Sequence, residues 1–117
     1  MSAPQTSSSS ASSPVVPPTL YAATTATDGT GRVFKGAALT HAQAVAERRA
    51  GRDIVVCGPV ELQNARWAQN IEFYAGRCKR CNPHTTKAGL QALPHFQQIN
   101  KPPHGHSFYE TATQKAS

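Results

Sequence analysis

Residues 92–110, ALPHFQQINKPPHGHSFYE, hold three of the chain's five histidines, with two phenylalanines, a tyrosine and a lysine. Histidine titrates near neutral pH, so it can accept a proton in one step and return it in the next. Beside a lysine or arginine, which stabilises the extra charge of a phosphoryl transition state, such a group can cleave RNA without a metal. A base removes the 2′-hydroxyl proton, and that oxygen attacks its own phosphodiester. His95 is the expected general base or acid, and His106 or His84 its complement. Tyr109 is the expected hydrogen-bond donor. Lys79, Arg80, Lys87 and Lys101 are the expected phosphate-binding cations, with Ser107 as a further substrate contact.

A second centre of possible chemistry is CKRCNPH, residues 78–84. Cys78, Cys81 and His84 form a C-x2-C-x2-H pattern, and two thiolates two residues apart commonly start a zinc knuckle. The fourth ligand would come from His95, His104 or His106. The histidine chemistry needs no cofactor, so zinc would be structural. A zinc deaminase is disfavoured because no histidine precedes a glutamate by two residues. A redox pair is disfavoured because this C-x2-C opens no helix. The phosphate-binding glycine loops and the G-x-S-x-G elbow are absent. With Asp and Glu totalling 6, and none paired in the histidine-rich half, a two-metal nuclease is disfavoured as well. Cys57 is assigned to inert core. Trp67 is assigned to core rather than to a base-stacking platform.

These residues need elements to position them. THAQAVAERRAG predicts a short helix: Thr40 caps it, Gln43 completes a capping box, Arg48 and Arg49 suit its last turn, and Gly51 ends it. DIVVCG predicts a strand covered on both faces, because Ile54 to Cys57 are continuously apolar. VELQNARWAQNIEFYAG predicts a second helix between Pro59 and Gly76, with a stripe of Trp67, Ile71 and Tyr74 widened by Leu62, Ala65 and Ala68. A short strand is expected near Arg32–Lys35. ALPHFQQ and GHSFYET read as two strands joined by a wide, proline-rich loop.

Side chains alternate across a strand. If Phe96 and Phe108 both face the core, His95 and Gln97 project to the other face with Ser107 and Tyr109. His106 then falls on the phenylalanine side, and His104 in the loop. The order of elements predicts an α+β fold: a small, mainly antiparallel sheet with two helices packed on one side.

Composition sets the frame. Residues 1–22 are dominated by Ser, Ala, Pro and Thr, uncharged and without apolar period, and read as a disordered arm or linker. The arm lacks the basic start and apolar core of a signal peptide. A single domain is expected over 31–112, with a frayed tail at 113–117. No run reaches the roughly 18 apolar residues of a membrane span. The net charge of +6 suits a polyanionic partner, nucleic acid first among them, and the histidine chemistry makes RNA the expected one. The odd count of 3 cysteines argues against a disulfide framework.

In order of elements and in style, GRDIVVCGP followed by a helix, then NPHTTKAGLQALPHFQ and GHSFYE, resembles the C-terminal toxin domains of bacterial polymorphic toxin systems. Many of those look like metal-independent ribonucleases of the barnase, EndoU, colicin and RelE type. The resemblance spans roughly residues 32–112. It implies an RNase toxin acting in the cytoplasm of a producer or target cell, carried by a larger delivery system and neutralised by an acidic immunity protein. It also implies catalytic roles for His95, His106 and Tyr109, and less directly for His84. The C-x2-C departs from that pattern. A second reading is therefore a non-enzymatic module that binds nucleic acid or protein and holds zinc at Cys78, Cys81 and His84.

Overall fold

The computed structural model describes residues 16–81 and 92–117. The described elements run β1 (Thr19–Thr25), β2 (Val33–Leu39), α1 (His41–Arg49), β3 (Ile54–Cys57), α2 (Glu61–Ala75), β4 (Cys78–Cys81), β5 (His95–Gln98) and β6 (Ser107–Tyr109). Their strands form one sheet in the order β2-β1-β3-β6-β5-β4. Every neighbouring pair is antiparallel except β3 and β6, which run parallel. The chain is thus α+β, with a mainly antiparallel sheet and both helices on one face.

Helix α1 starts where local chemistry says it should. The Gln43 backbone N–H donates to Thr40 Oγ1 at 3.1 Å, and the Thr40 N–H donates to Gln43 Oε1 at 2.8 Å. This capping box satisfies two backbone groups that the helix itself leaves unpaired. The helix stops at Ala50. Gly51 follows with φ +84°, a left-handed conformation that only a residue without a Cβ adopts cheaply.

Strand β3 is central, as its apolar run predicts. Ile54 and Val56 point to the helices and join Leu20, Val45, Ala68, Ile71, Phe96 and Tyr109 in the main core. Val55 points the other way, into a second, smaller core with Val33, Leu93 and Phe108. The sheet therefore buries apolar surface on both faces. Ala116 packs on this second core, and Ser117 exchanges backbone hydrogen bonds of 2.8 and 2.9 Å with Val33 and Lys35 on the outer side of β2.

Three expectations change here. The domain begins well before residue 31, because Thr19–Thr25 is a full strand seated between β2 and β3, with Leu20 in the core. Composition hid it: TLYAATT has few large apolar groups, and only its neighbours bury it. The arm expected over 1–22 therefore ends at or before residue 18, and residues 1–15 lie outside the described region. The tail at 113–117 is tied down by the contacts of Ala116 and Ser117 rather than frayed.

The buried side of α2 also differs from the predicted stripe. It consists of Asn64, Ala68, Ile71 and Glu72, while Leu62 and Tyr74 are exposed. Two buried polar groups on a helix need partners. Asn64 Nδ2 donates to the carbonyls of Gly58 and Glu110 at 2.8 and 3.0 Å. Glu72 is held by a larger network described below. Among the described residues, no helix is long and apolar enough to cross a membrane.

Candidate active site

Parallel pairing of β3 and β6 places Ile54 opposite Ser107. The residues just before them, Asp53 and His106, consequently stand side by side at the mouth of the two strands. Asp53 Oδ1 accepts the His106 backbone N–H at 2.8 Å and lies 3.2 Å from His106 Nδ1. When Nδ1 carries the proton it donates to Asp53, and Nε2 is left as the acceptor.

Strand β5 supplies the second imidazole. Its register sets His95 opposite Phe108 and Phe96 opposite Ser107. The His95 and His106 rings meet edge to face, with centroids 4.5 Å apart. Both rest against the Phe108 ring, at 5.4 and 5.2 Å. His95 is half-buried, and the His106 side chain is 36% exposed. A carboxylate, an oriented imidazole and a second imidazole therefore share the face of the sheet opposite the helices.

This corrects the face assignment. His95 does not share a face with Ser107 and Tyr109; it shares one with His106 and Phe108. The expectation that both phenylalanines face one core fails because this sheet has a core on each side. Phe96 lies in the helix-side core and Phe108 in the other. Tyr109 is fully buried on the helix side, 5.8 Å from the Phe96 ring. Ser107 is fully buried there too, donating a short hydrogen bond to Glu72. Neither can touch a substrate at His95, so the donor role expected of Tyr109 and the substrate contact expected of Ser107 both fall away.

The remaining candidates divide by position. Lys101 is exposed in the loop between β5 and β6. His104 is exposed in the same loop, and its carbonyl accepts from Arg48. Lys79 and Arg80 lie on β4 at the sheet edge, paired in register with Gln97 and Phe96. His84 and Lys87 lie outside the described residues. The C-x2-C run forms strand β4 rather than a turn, with Cys78 opposite Gln98 and Cys81 opposite His95. Burial pushes the Cys78 thiol above its ordinary range, and the nearby Glu72 carboxylate adds to this. Among the described residues, no three His, Cys, Asp or Glu side chains are grouped to hold a metal ion.

Behind the histidines lies a buried polar network that no sequence spacing announces. Arg48 Nε meets Glu72 Oε2 at 2.5 Å, and both side chains are fully buried. Gln98 Nε2 donates to Glu72 Oε1 at 2.8 Å and to the Glu72 carbonyl at 3.0 Å. Arg48 Nη1 donates to the carbonyls of Arg52 and His104 at 2.9 and 2.8 Å. Glu72 thus grips β5 through Gln98 and β6 through Ser107. Arg48 grips the loop that leads into His106. Gly105, in that loop, has φ +93°, and a Cβ there would come within 2.7 Å of Arg48 Nη1 and 2.9 Å of the Gly51 carbonyl. The residues missed from sequence are therefore Asp53, Arg48, Glu72 and Gly105. The available signal was a carboxylate at the start of an apolar strand, and a glycine between two histidines.

Comparison with protein-family models, with curated proteins and with solved structures finds no match to this chain.

Proposed function

We propose that this chain is a nucleic-acid-cleaving toxin domain, a metal-independent endoribonuclease that uses His106 and His95 as its acid–base pair. The observation that carries this reading is the Asp53–His106–His95 arrangement. Asp53 holds His106 by its backbone N–H and by ring Nδ1, and the second imidazole packs with its centroid 4.5 Å away on the same face.

In the reaction, His106 Nε2 accepts the proton of the 2′-hydroxyl. The freed oxygen attacks phosphorus, forming the P–O2′ bond while the P–O5′ bond breaks. Protonated His95 gives its proton to the departing 5′-oxygen. The products are a 2′,3′-cyclic phosphate and a 5′-hydroxyl end. General acid–base catalysis of this kind contributes on the order of 10²–10⁴-fold in rate. Lys101, exposed in the adjoining loop, is the cation proposed to meet the phosphate. A shallow groove of about 490 Å³, lined by Thr24, Thr25, Glu47, Arg52 and Asp53 among others, reaches the site at Asp53, the residue that holds His106. The net charge of +6 favours RNA as substrate and an acidic protein as the partner that silences it.

The test is incubation of purified chain with RNA in the presence of a chelator, with the product ends analysed. Cyclic phosphate ends, lost in both His95→Ala and His106→Ala, support the reading. Undiminished cleavage by both variants, or no cleavage by the parent chain, overturns it.

A further inference from the structure

On the helix side of the molecule, an open hollow of about 320 Å³ is lined by His41 of α1 and by Arg66, Trp67 and Asn70 of α2. We infer that this hollow binds a nucleotide unit, with the base against Trp67 and the phosphate held by Arg66. The site stands apart from the cleavage reading, since it uses none of the residues on the histidine face.

The lining supplies both halves of that ligand. Trp67 is half-buried, so its indole is fixed by the core yet keeps an open surface. It borders a second hollow of about 430 Å³ with Val60 and Leu62, which gives a planar ring apolar surroundings. Aromatic platforms of this kind bind bases with little sequence preference. Arg66 is exposed and has no ion-pair partner among the described residues. Its planar fork of donors matches phosphate oxygens.

His41 braces the wall of the same hollow. Its Nε2 is 2.7 Å from Asn70 Oδ1, and its ring lies edge-on to Trp67 and Tyr74 at 6.2 and 5.6 Å. With Asn70 Oδ1 accepting from Nε2, the two amide hydrogens on Asn70 Nδ2 remain available to base acceptors. A guanidinium suited to a phosphate thus stands beside an indole suited to a base.

The chain has one tryptophan, so its fluorescence reports on this hollow directly. The full chain is titrated with 5′-AMP and, separately, with a DNA trinucleotide. DNA lacks the 2′-hydroxyl, so binding is read whether or not the chain cleaves RNA. Saturable quenching is expected, weakened about tenfold or more in Arg66→Ala, as loss of a charge-assisted hydrogen bond implies, and less in His41→Ala, which removes the ring that holds Asn70. Circular dichroism of the variants should match the parent. Tighter binding of the trinucleotide identifies a strand as the ligand; equal binding identifies a free nucleotide. No saturable change with either probe, or quenching untouched by Arg66→Ala, overturns the assignment.

Discussion

Arg48 and Glu72 meet at 2.5 Å with both side chains fully buried, directly behind the strands that carry His95 and His106. Their link runs from one helix to the other, and it reaches Gln98, Ser107 and the His104 carbonyl. Taking two charges out of water is costly, and a buried pair is repaid only when the remaining donors and acceptors are also satisfied. Here they are, so the pair acts as a positioning device for β5 and β6.

Breaking one side of that pair leaves the other charge buried and alone. Arg48→Met or Glu72→Leu should each cost about 3–5 kcal/mol of folding stability. The double variant Arg48→Met/Glu72→Leu should recover part of that loss. Urea denaturation of the three variants measures it. Single variants within about 1 kcal/mol of the parent would show that the network does not hold the sheet.

Asp53 touches His106 but no core residue depends on it alone. Asp53→Asn should lower kcat for RNA cleavage on the order of 10²-fold with little change in KM, because it disturbs the tautomer rather than substrate binding. Kinetics alongside a thermal melt separate this from unfolding. A matching fall in Tm and activity would make Asp53 structural only.

Gly105 and Gly29 form an internal comparison. Both have positive φ, at +93° and +84°, but a Cβ at Gly29 meets nothing within 4 Å, whereas one at Gly105 strikes Arg48 and the Gly51 carbonyl. Gly29→Ala should cost roughly 1–2 kcal/mol from backbone strain alone. Gly105→Ala should cost more and should also abolish cleavage, since it displaces the loop entering His106. Equal losses in the two variants would show that close packing at Gly105 is unimportant.

Cys57 gives a pH-dependent prediction. Burial first, and then the Glu110 carboxylate, push its thiol up to about 12. An ordinary thiol loses its proton near 8.5. Between those values the folded chain holds a proton that the unfolded chain has released, so folding stability falls as pH rises. The contribution is fully present below the unfolded value and is lost towards the folded one. Cys57→Ala should flatten this slope when stability is followed from pH 8 to pH 10.5 against the parent. An unchanged slope would assign the effect to other groups.

Local chemistry was readable without a structure wherever a few neighbouring residues decide it. Thr40 and Gln43 close their capping box within one turn. Gly51 ends the same helix three residues after Arg48. The apolar run Ile54–Cys57 announces a strand buried on both sides. The α+β order of elements follows from such segments, each of which satisfies its own backbone.

The site depended on contacts that local pattern does not contain. Alternation showed that His95 and Phe96 face opposite ways, but it could not say which face was covered. In this sheet both are covered, and register alone pairs His95 with Phe108 rather than with Ser107 and Tyr109. Asp53 becomes a partner of His106 only because β3 and β6 run parallel from a common start. Arg48 was legible only as a cation in the last turn of α1, and Glu72 carried no local signal; the packing of the two helices on the sheet buries them together. Strand β1 was hidden for the same reason. TLYAATT carries too little apolar surface to declare itself, and it is ordered by hydrogen bonds to β2 and β3 that exist only in the assembled sheet.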